Sequence, residues 1–270
     1  MAFFSLLSFK TADAAQYILY TANINAALQN CGCGNMPLGG IDRLKTFVDL
    51  FRAENPNTIL IDGGDFFNSY PYPELNQSVL DALELMDYDL IVPGEHEFVE
   101  GLPFFINVSK RLADRIILSN VNGQYGRDFL NLYHGNNLRL IAVLNRRCFD
   151  YIALPEQFEL KALTGADIAK DHVSDYTILV YHGSIDNISD DMLNIAAPDM
   201  ILLAHDQFFG ETNIAGIRAI GIGKDGEHIA VIKIESGFTC DVTFEKITED
   251  IKPDPRINMI NQTFSKKLDR

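Results

Sequence analysis

Apolar runs and helical stretches alternate along this chain. Residues 17–21, 58–62, 90–93, 116–119, 138–144, 176–181 and 200–204 form short, nearly continuous apolar runs. Runs of that kind read as strands buried on both faces. Between them, residues 41–53, 74–86, 103–112, 165–171 and 190–196 read as helices. Strands that alternate with helices predict a layered α/β fold. After Gly216 the pattern changes, and residues 217–222, 228–235 and 239–246 read as consecutive antiparallel strands. Gly223-Lys224-Asp225-Gly226 and Ser236-Gly237 supply the turns between them. A last helix over Pro255–Leu268 follows Lys252-Pro253-Asp254. No internal repeat and no low-complexity segment interrupts this order.

At 270 residues the chain is long enough for one large domain or two small ones. Its net charge of -15 disfavours nucleic acid and anionic membranes as partners. A small anionic substrate would therefore need a local cation, such as a metal. No apolar run reaches the roughly 20 residues of a membrane span, so no transmembrane segment is expected. The first residues, Ala2 to Phe9, are apolar and are followed by Ala12-Asp13-Ala14, a small-x-small pattern suited to signal cleavage. Residues 1–15 thus read as an export-signal remnant or a disordered tail, which points to an exported, periplasmic or other extracytoplasmic protein. Cys31 and Cys33 are too close in sequence for an ordinary structural disulfide.

Ligands of open α/β sheets collect at the C-terminal ends of strands, and polar residues recur there in this chain. Asn23 and Asn25 follow the first strand, and Gly63-Gly64-Asp65 the second. Gly94-Glu95-His96-Glu97, Tyr181-His182-Gly183 and Ala204-His205-Asp206-Gln207 follow later ones. A lone histidine is usually a surface or hydrogen-bonded residue. Imidazoles and carboxylates that converge on one sheet edge instead suit Zn, Mn or Fe.

In these segments, and in Pro37-Leu38-Gly39-Gly40-Ile41-Asp42-Arg43, the chain resembles the calcineurin-like metallophosphoesterases, specifically their 5′-nucleotidase and UDP-sugar hydrolase branch. The resemblance runs from about residue 17 to about residue 246. It implies a four-layer α/β/β/α sandwich with a metal centre at one edge of the paired sheets. It also implies that Asp65 bridges two metals, that His182 and His205 bind the second, that Gln207 is the last ligand of the first, and that His96 stabilises the phosphate in the transition state.

Four positions depart from that pattern. The family's Asp-x-His after the first strand is Asn23-Ile24-Asn25, so both are degenerate metal positions. The Asn of Gly-Asn-His-Glu is Glu95, and the Asp that pairs with the catalytic His is Val99. Neutral amides hold a transition metal weakly. Asp65, Glu95, His182 and His205 remain as a mononuclear ligand set, and one divalent transition metal is expected. Val99 has no charge with which to orient His96.

Cys31-Gly32-Cys33-Gly34 lies in the loop beyond the two Asn. Three readings stand side by side: metal ligation by two thiolates, a redox-active pair, or small loop residues. Some exported relatives in this branch carry a Cys-rich loop here, and a thiosulfohydrolase branch uses the same fold on sulfur substrates. Cys148 and Cys240 read as structural, and His134, His172 and His228 as surface residues. Arg146 and Arg147 could face an anion near the site.

Two functions follow. One is an exported metal-dependent hydrolase of phosphoester or sulfur-ester bonds. The other is a non-catalytic or thiol-redox metal-binding module on the same fold that uses Cys31 and Cys33. Residues 16–250 are expected to form the metallophosphoesterase-like domain and 251–270 a linker-like helix. In two-domain relatives a substrate-specificity domain follows that helix, so a C-terminal domain or partner is expected to be missing.

Overall fold

The computed structural model describes residues 16–30, 32, 37–112, 115–121, 130–134, 136–164, 176–235 and 239–268. Two sheets lie face to face. The first has the order β11-β10-β1-β2-β3, built from β1 (Gln16–Thr21), β2 (Thr58–Asp62), β3 (Leu90–Ile91), β10 (His228–Ile234) and β11 (Cys240–Lys246). The second has the order β4-β5-β6-β7-β9-β8. Its strands are β4 (Leu130–His134), β5 (Asn136–Leu144), β6 (Tyr176–Gly183), β7 (Met200–His205), β8 (Phe209–Ile214) and β9 (Ile217–Ile222). In the first sheet β1, β2 and β3 run parallel and β10 and β11 add antiparallel on one side; in the second β5, β6, β7 and β9 run parallel and β4 and β8 flank them antiparallel.

The alternation of side chains along each strand explains the layering. Ile18 and Tyr20 of β1 face the same core as Ile178 and Val180 of β6, between the sheets. Leu19 turns the other way, into a core shared with Leu44 and Val48 of α1 (Ile41–Glu54) and Leu80 and Leu83 of α2 (Pro73–Met86). Leu179 and Tyr181 turn outward to Leu193 and Ala196 of α4 (Asp190–Ala196). Three cores between four layers make the α/β/β/α sandwich. The helix α3 (Leu102–Arg111) sends Phe105 into the central core and Val108 into the α1/α2 core.

The terminal helix, α5 (Pro255–Leu268), is capped by Asp254, whose Oδ1 accepts from the backbone N–H of Arg256 at 2.8 Å. Asp before Pro is a helix-start signal for that reason. Ile257 of α5 is buried in the α1/α2 core.

Most sequence-predicted elements appear within a residue or two of their expected bounds. The exceptions are instructive. Strand β9 does not continue into an antiparallel β10. It pairs parallel with β7 in the second sheet, while β10 pairs with β1 and β11 in the first. The Gly223–Gly226 turn therefore crosses between sheets. The run at 116–119 contributes only an isolated bridge, Ile116 to Ile91. Strand β8 alternates exposed and half-buried positions at a sheet edge, with Gly, Glu, Thr and Asn among its residues, and gives no apolar run to read. The expected helix at 165–171 and the Ser236-Gly237 turn lie outside the described residues.

Candidate metal centre

Parallel strands of both sheets end at one edge, and register decides which side chains meet there. In the second sheet His182 pairs with Ala204, and Gly183 with His205, so the two imidazoles leave adjacent strands one step apart. Their ring centroids are 5.5 Å apart. From the first sheet, the loop after β2 brings Asp65, and the loop after β3 brings Glu95 and His96. Glu97 fastens these two loops together. Its buried carboxylate accepts from the backbone N–H groups of Asp65, Phe66, Phe67 and Gly94. Burial, with the charge on Asp65, pushes that carboxyl up to about 7, while the amide donors work the other way.

His182 is fully buried and spans the two sheets. Its Nδ1 lies 2.7 Å from the Gly63 carbonyl, which can only accept, so Nδ1 carries a proton. Nε2 then faces Glu95 Oε2 at 2.9 Å and Asp65 Oδ1 at 3.4 Å. A neutral imidazole would set an acceptor against two acceptors. Only a second proton or a metal ion relieves that contact. Burial alone would lower the His182 pKa, but Asp65 and Glu95 outweigh it and raise the pKa well above the ordinary value. Burial alone would raise the Glu95 pKa, but His182 and His205 hold it well below the usual carboxylate range.

His205 Nδ1 lies 2.9 Å from Glu95 Oε1 and 4.0 Å from Asp65 Oδ2. It is buried and lacks the alignment of a hydrogen bond. The Cys148 thiol, then the Glu95 carboxylate, push the His205 imidazole up to about 10. An orphaned ring nitrogen and a ring whose far N–H is held by a carbonyl both fit metal ligation, in which the second nitrogen is commonly fixed in this way. Among the described residues, two groups bring ligand atoms within 4.8 Å of one another: Glu95, Cys148, His182 and His205, and Asp65, Glu95 and His96. The side chains present therefore fit a divalent metal.

His96 Nδ1 contacts the Phe67 carbonyl at 3.2 Å, and its Nε2 lies 3.8 Å from Asp65 Oδ2. A backbone carbonyl thus orients the ring where the family's Asp is Val99, without adding charge. Asn23 is bonded to the backbone, and Asn25 to the backbone and to Asp225. Asn23 Oδ1 accepts from the His205 N–H at 2.9 Å, and its Nδ2 donates to the Gly223 carbonyl at 2.8 Å. Asn25 Nδ2 donates to the Asn23 carbonyl at 2.8 Å and to Asp225 Oδ1 at 3.0 Å. Carboxylates could not donate these bonds. Gln207 is exposed, and Cys31 and Cys33 lie outside the described residues.

Asn23, Asn25, Asp65 and His205 all have left-handed backbone, with φ of 54°, 52°, 58° and 74°. Asn, Asp and His are the non-glycine residues found most often in this conformation, and such residues cluster at functional sites.

The sequence reading missed Cys148 as a site residue. It is buried in the short 3-10 helix Arg146–Asp150 after β5, with Sγ 3.8 Å from the His182 carbonyl oxygen. The strand-end rule that found the other residues applies to β5 as well. A cavity of about 190 Å³ opens beside the cluster, lined by Ser69, Glu95, His96, Arg147, Cys148, Asp150, Tyr151, Ile152 and His205. Tyr151 is fully exposed at this wall.

Known proteins share this fold. Rat 5′-nucleotidase is 31% identical over 111 residues, covering 38% of this chain and 19% of that one. The 5′-nucleotidase precursor of Thermus thermophilus superposes with a TM-score of 0.78 at 12% identity, over 94% of this chain and 59% of that one. The sulfate thiohydrolase SoxB of Thermus thermophilus superposes with a TM-score of 0.72 at 11% identity, over 94% and 60%. At such identities the superpositions report on the fold. The chain spans less than two thirds of each of these proteins. The family model described as calcineurin-like phosphoesterase matches residues 33–209, well over half of the chain, and the chain belongs to that family.

Proposed function

We propose that this chain is an exported, metal-dependent hydrolase of phosphoester or sulfur-ester bonds that works with one main divalent metal. The carrying observation is His182, whose Nδ1 is committed to the Gly63 carbonyl and whose Nε2 is set against Glu95 and Asp65. Asp65, Glu95, His182 and His205 would hold the ion, which supplies Lewis acidity to a bound anionic oxygen. His96 is oriented to stabilise negative charge that develops on the substrate. Arg147 lines the cavity as a cation, on a chain whose net charge is -15, and favours a small anion there. The test is a panel of aryl phosphate, phosphodiester and sulfur-ester substrates assayed on metal-free and metal-loaded protein. Turnover that needs metal and falls with His96→Ala supports the reading. No turnover on any ester with metal bound overturns it.

A non-catalytic or thiol-redox module is the second reading. It is favoured by Asn23 and Asn25, whose amides hold backbone groups instead of a second ion. The same panel separates the two, since this reading expects metal binding without turnover. Periplasmic placement rests on the apolar start and Ala12-Asp13-Ala14.

A further inference from the structure

We propose that Cys148 is a metal ligand: its thiolate joins Glu95, His182 and His205 around one ion and makes zinc the metal this site selects. This rests on the reading that the cluster holds a single metal. The family resemblance assigns no role to the turn that carries Cys148, and the four ligand atoms come from four separate elements. They all lie within 4.8 Å of one another. Zinc bonds of about 2.0–2.3 Å set tetrahedral ligand pairs roughly 3.3–3.8 Å apart, so small side-chain shifts close the set.

Buried cysteines are commonly inert, apolar fillers. Cys148 differs in its surroundings, because the groups that meet its thiol are two imidazoles and a carboxylate. The turn is also built to hold it. Asn145 Oδ1 caps the turn by accepting from the Arg147 N–H at 2.9 Å, and Asn145 Nδ2 donates to the Tyr181 hydroxyl at 2.5 Å. The Cys148 N–H donates to the Asn145 carbonyl at 3.1 Å. His205 Nδ1, buried 2.9 Å from Glu95 Oε1 but out of line for a hydrogen bond, is the independent sign that a cation belongs here. In this set Cys148 takes the fourth position given above to Asp65, and one carboxylate, one thiolate and two neutral imidazoles balance a divalent ion. Sulfur is soft, so it favours zinc over manganese or magnesium, which an all-oxygen and imidazole set would accept.

The test uses the full chain with Cys31→Ser and Cys33→Ser, so that those thiols cannot contribute. Cobalt is loaded as a spectroscopic stand-in, and zinc is loaded for X-ray absorption. One cobalt per chain with a near-ultraviolet sulfur-to-metal band is expected, with one zinc–sulfur distance near 2.3 Å. Cys148→Ser should remove the band and cut the preference for zinc over manganese by about tenfold or more. Cobalt or zinc bound with no sulfur signal in the parent protein overturns the ligand assignment and leaves the one-metal reading standing. No bound metal overturns both. The parent absorption measurement decides the matter without any variant at Cys148, should that variant fail to fold.

Discussion

Glu95 Oε2 stands 2.9 Å from His182 Nε2, and a neutral histidine has no proton to place between them, because its one N–H is given to Gly63. In metal-free protein the imidazole therefore carries a second proton. His205 does the same, with its pKa pushed up to about 10 by Cys148 and Glu95. Both groups are protonated below those raised values, and a metal must displace the protons to bind. Titration calorimetry at neutral pH, in buffers of different ionisation enthalpy, should show about two protons released per ion from the imidazoles, and one more where the Cys148 thiol ionises to join the set. Affinity should rise with pH through the neutral range. Release of none would mean that the ion binds elsewhere.

Glu95→Gln keeps the shape and removes the charge. The imidazoles lose the anion that balances their protons or a bound metal. Metal affinity should fall by about 10–100-fold, on the scale of lost site-orienting groups. The metal-free variant should also be less stable at neutral pH, by about 1–3 kcal/mol, since a buried charge-assisted hydrogen bond is lost. Equilibrium unfolding with and without zinc measures both. Unchanged affinity would remove Glu95 from the ligand set.

Turnover of 5′-nucleotides should be slight, and that of aryl phosphates weak at best. Asn23 Oδ1 already accepts from the His205 N–H and Asn25 offers only a neutral amide, so on the one-metal reading the two-metal scheme for in-line displacement would lack one of its ions. Whatever activity remains should drop about 100-fold in His96→Ala, the usual scale for losing one charge-stabilising donor. Rapid nucleotide hydrolysis abolished by His96→Ala would falsify the argument from the Asn positions.

The fold was legible because its central strands are buried on both faces and so read as apolar runs. His182 and His205 were legible as polar residues at the ends of those runs. What stayed hidden was contact between elements distant in sequence. That Glu97 ties two loops through backbone amides depends on where residues 63–67 and 94–97 meet in space. That Phe67 orients His96 depends on a carbonyl, which no residue type encodes. The sheet switch between β9 and β10 was hidden because a short Gly-flanked turn looks the same within a hairpin and between sheets.

Gly94 is where two loops and an imidazole come too close for any side chain. A Cβ there would lie 2.2 Å from His182 Cε1 and 2.4 Å from Asp65 Oδ1. Neither neighbour can retreat, since His182 is held by Gly63 and Asp65 sits on left-handed backbone. Gly94→Ala should destabilise the protein by about 3 kcal/mol or more, in line with overpacking of a rigid core, and should abolish tight metal binding. Near-native stability with metal retained would show that the loops move apart more freely than this packing allows.

Asp62 offers a test of the buried charge beneath the site. It is fully buried, accepts from Thr21 Oγ1 at 2.6 Å and from the Gly64 N–H at 2.8 Å, and lies near Glu97. Burial pushes its carboxyl up to about 7, against the pull of those two hydrogen bonds. The unfolded chain should titrate near the ordinary value of about 3.9. Between these values the folded state keeps the proton and the unfolded state does not. Stability from this group is therefore lost as pH rises from about 4 to about 7 and is level above that. The full effect is bounded at roughly 4 kcal/mol, from about three pKa units. Asp62→Asn removes the titration and keeps an acceptor for Gly64. Thr21 Oγ1 can turn to accept from the new amide, because its other neighbour, the Tyr88 hydroxyl at 2.9 Å, can also donate or accept. In metal-free protein, the stability of Asp62→Asn relative to the parent should climb by a few kcal/mol between pH 4.5 and pH 8, as read by urea unfolding across that range. Parallel pH profiles for the two proteins would mean that Asp62 stays ionised in the fold, held by its hydrogen bonds against burial.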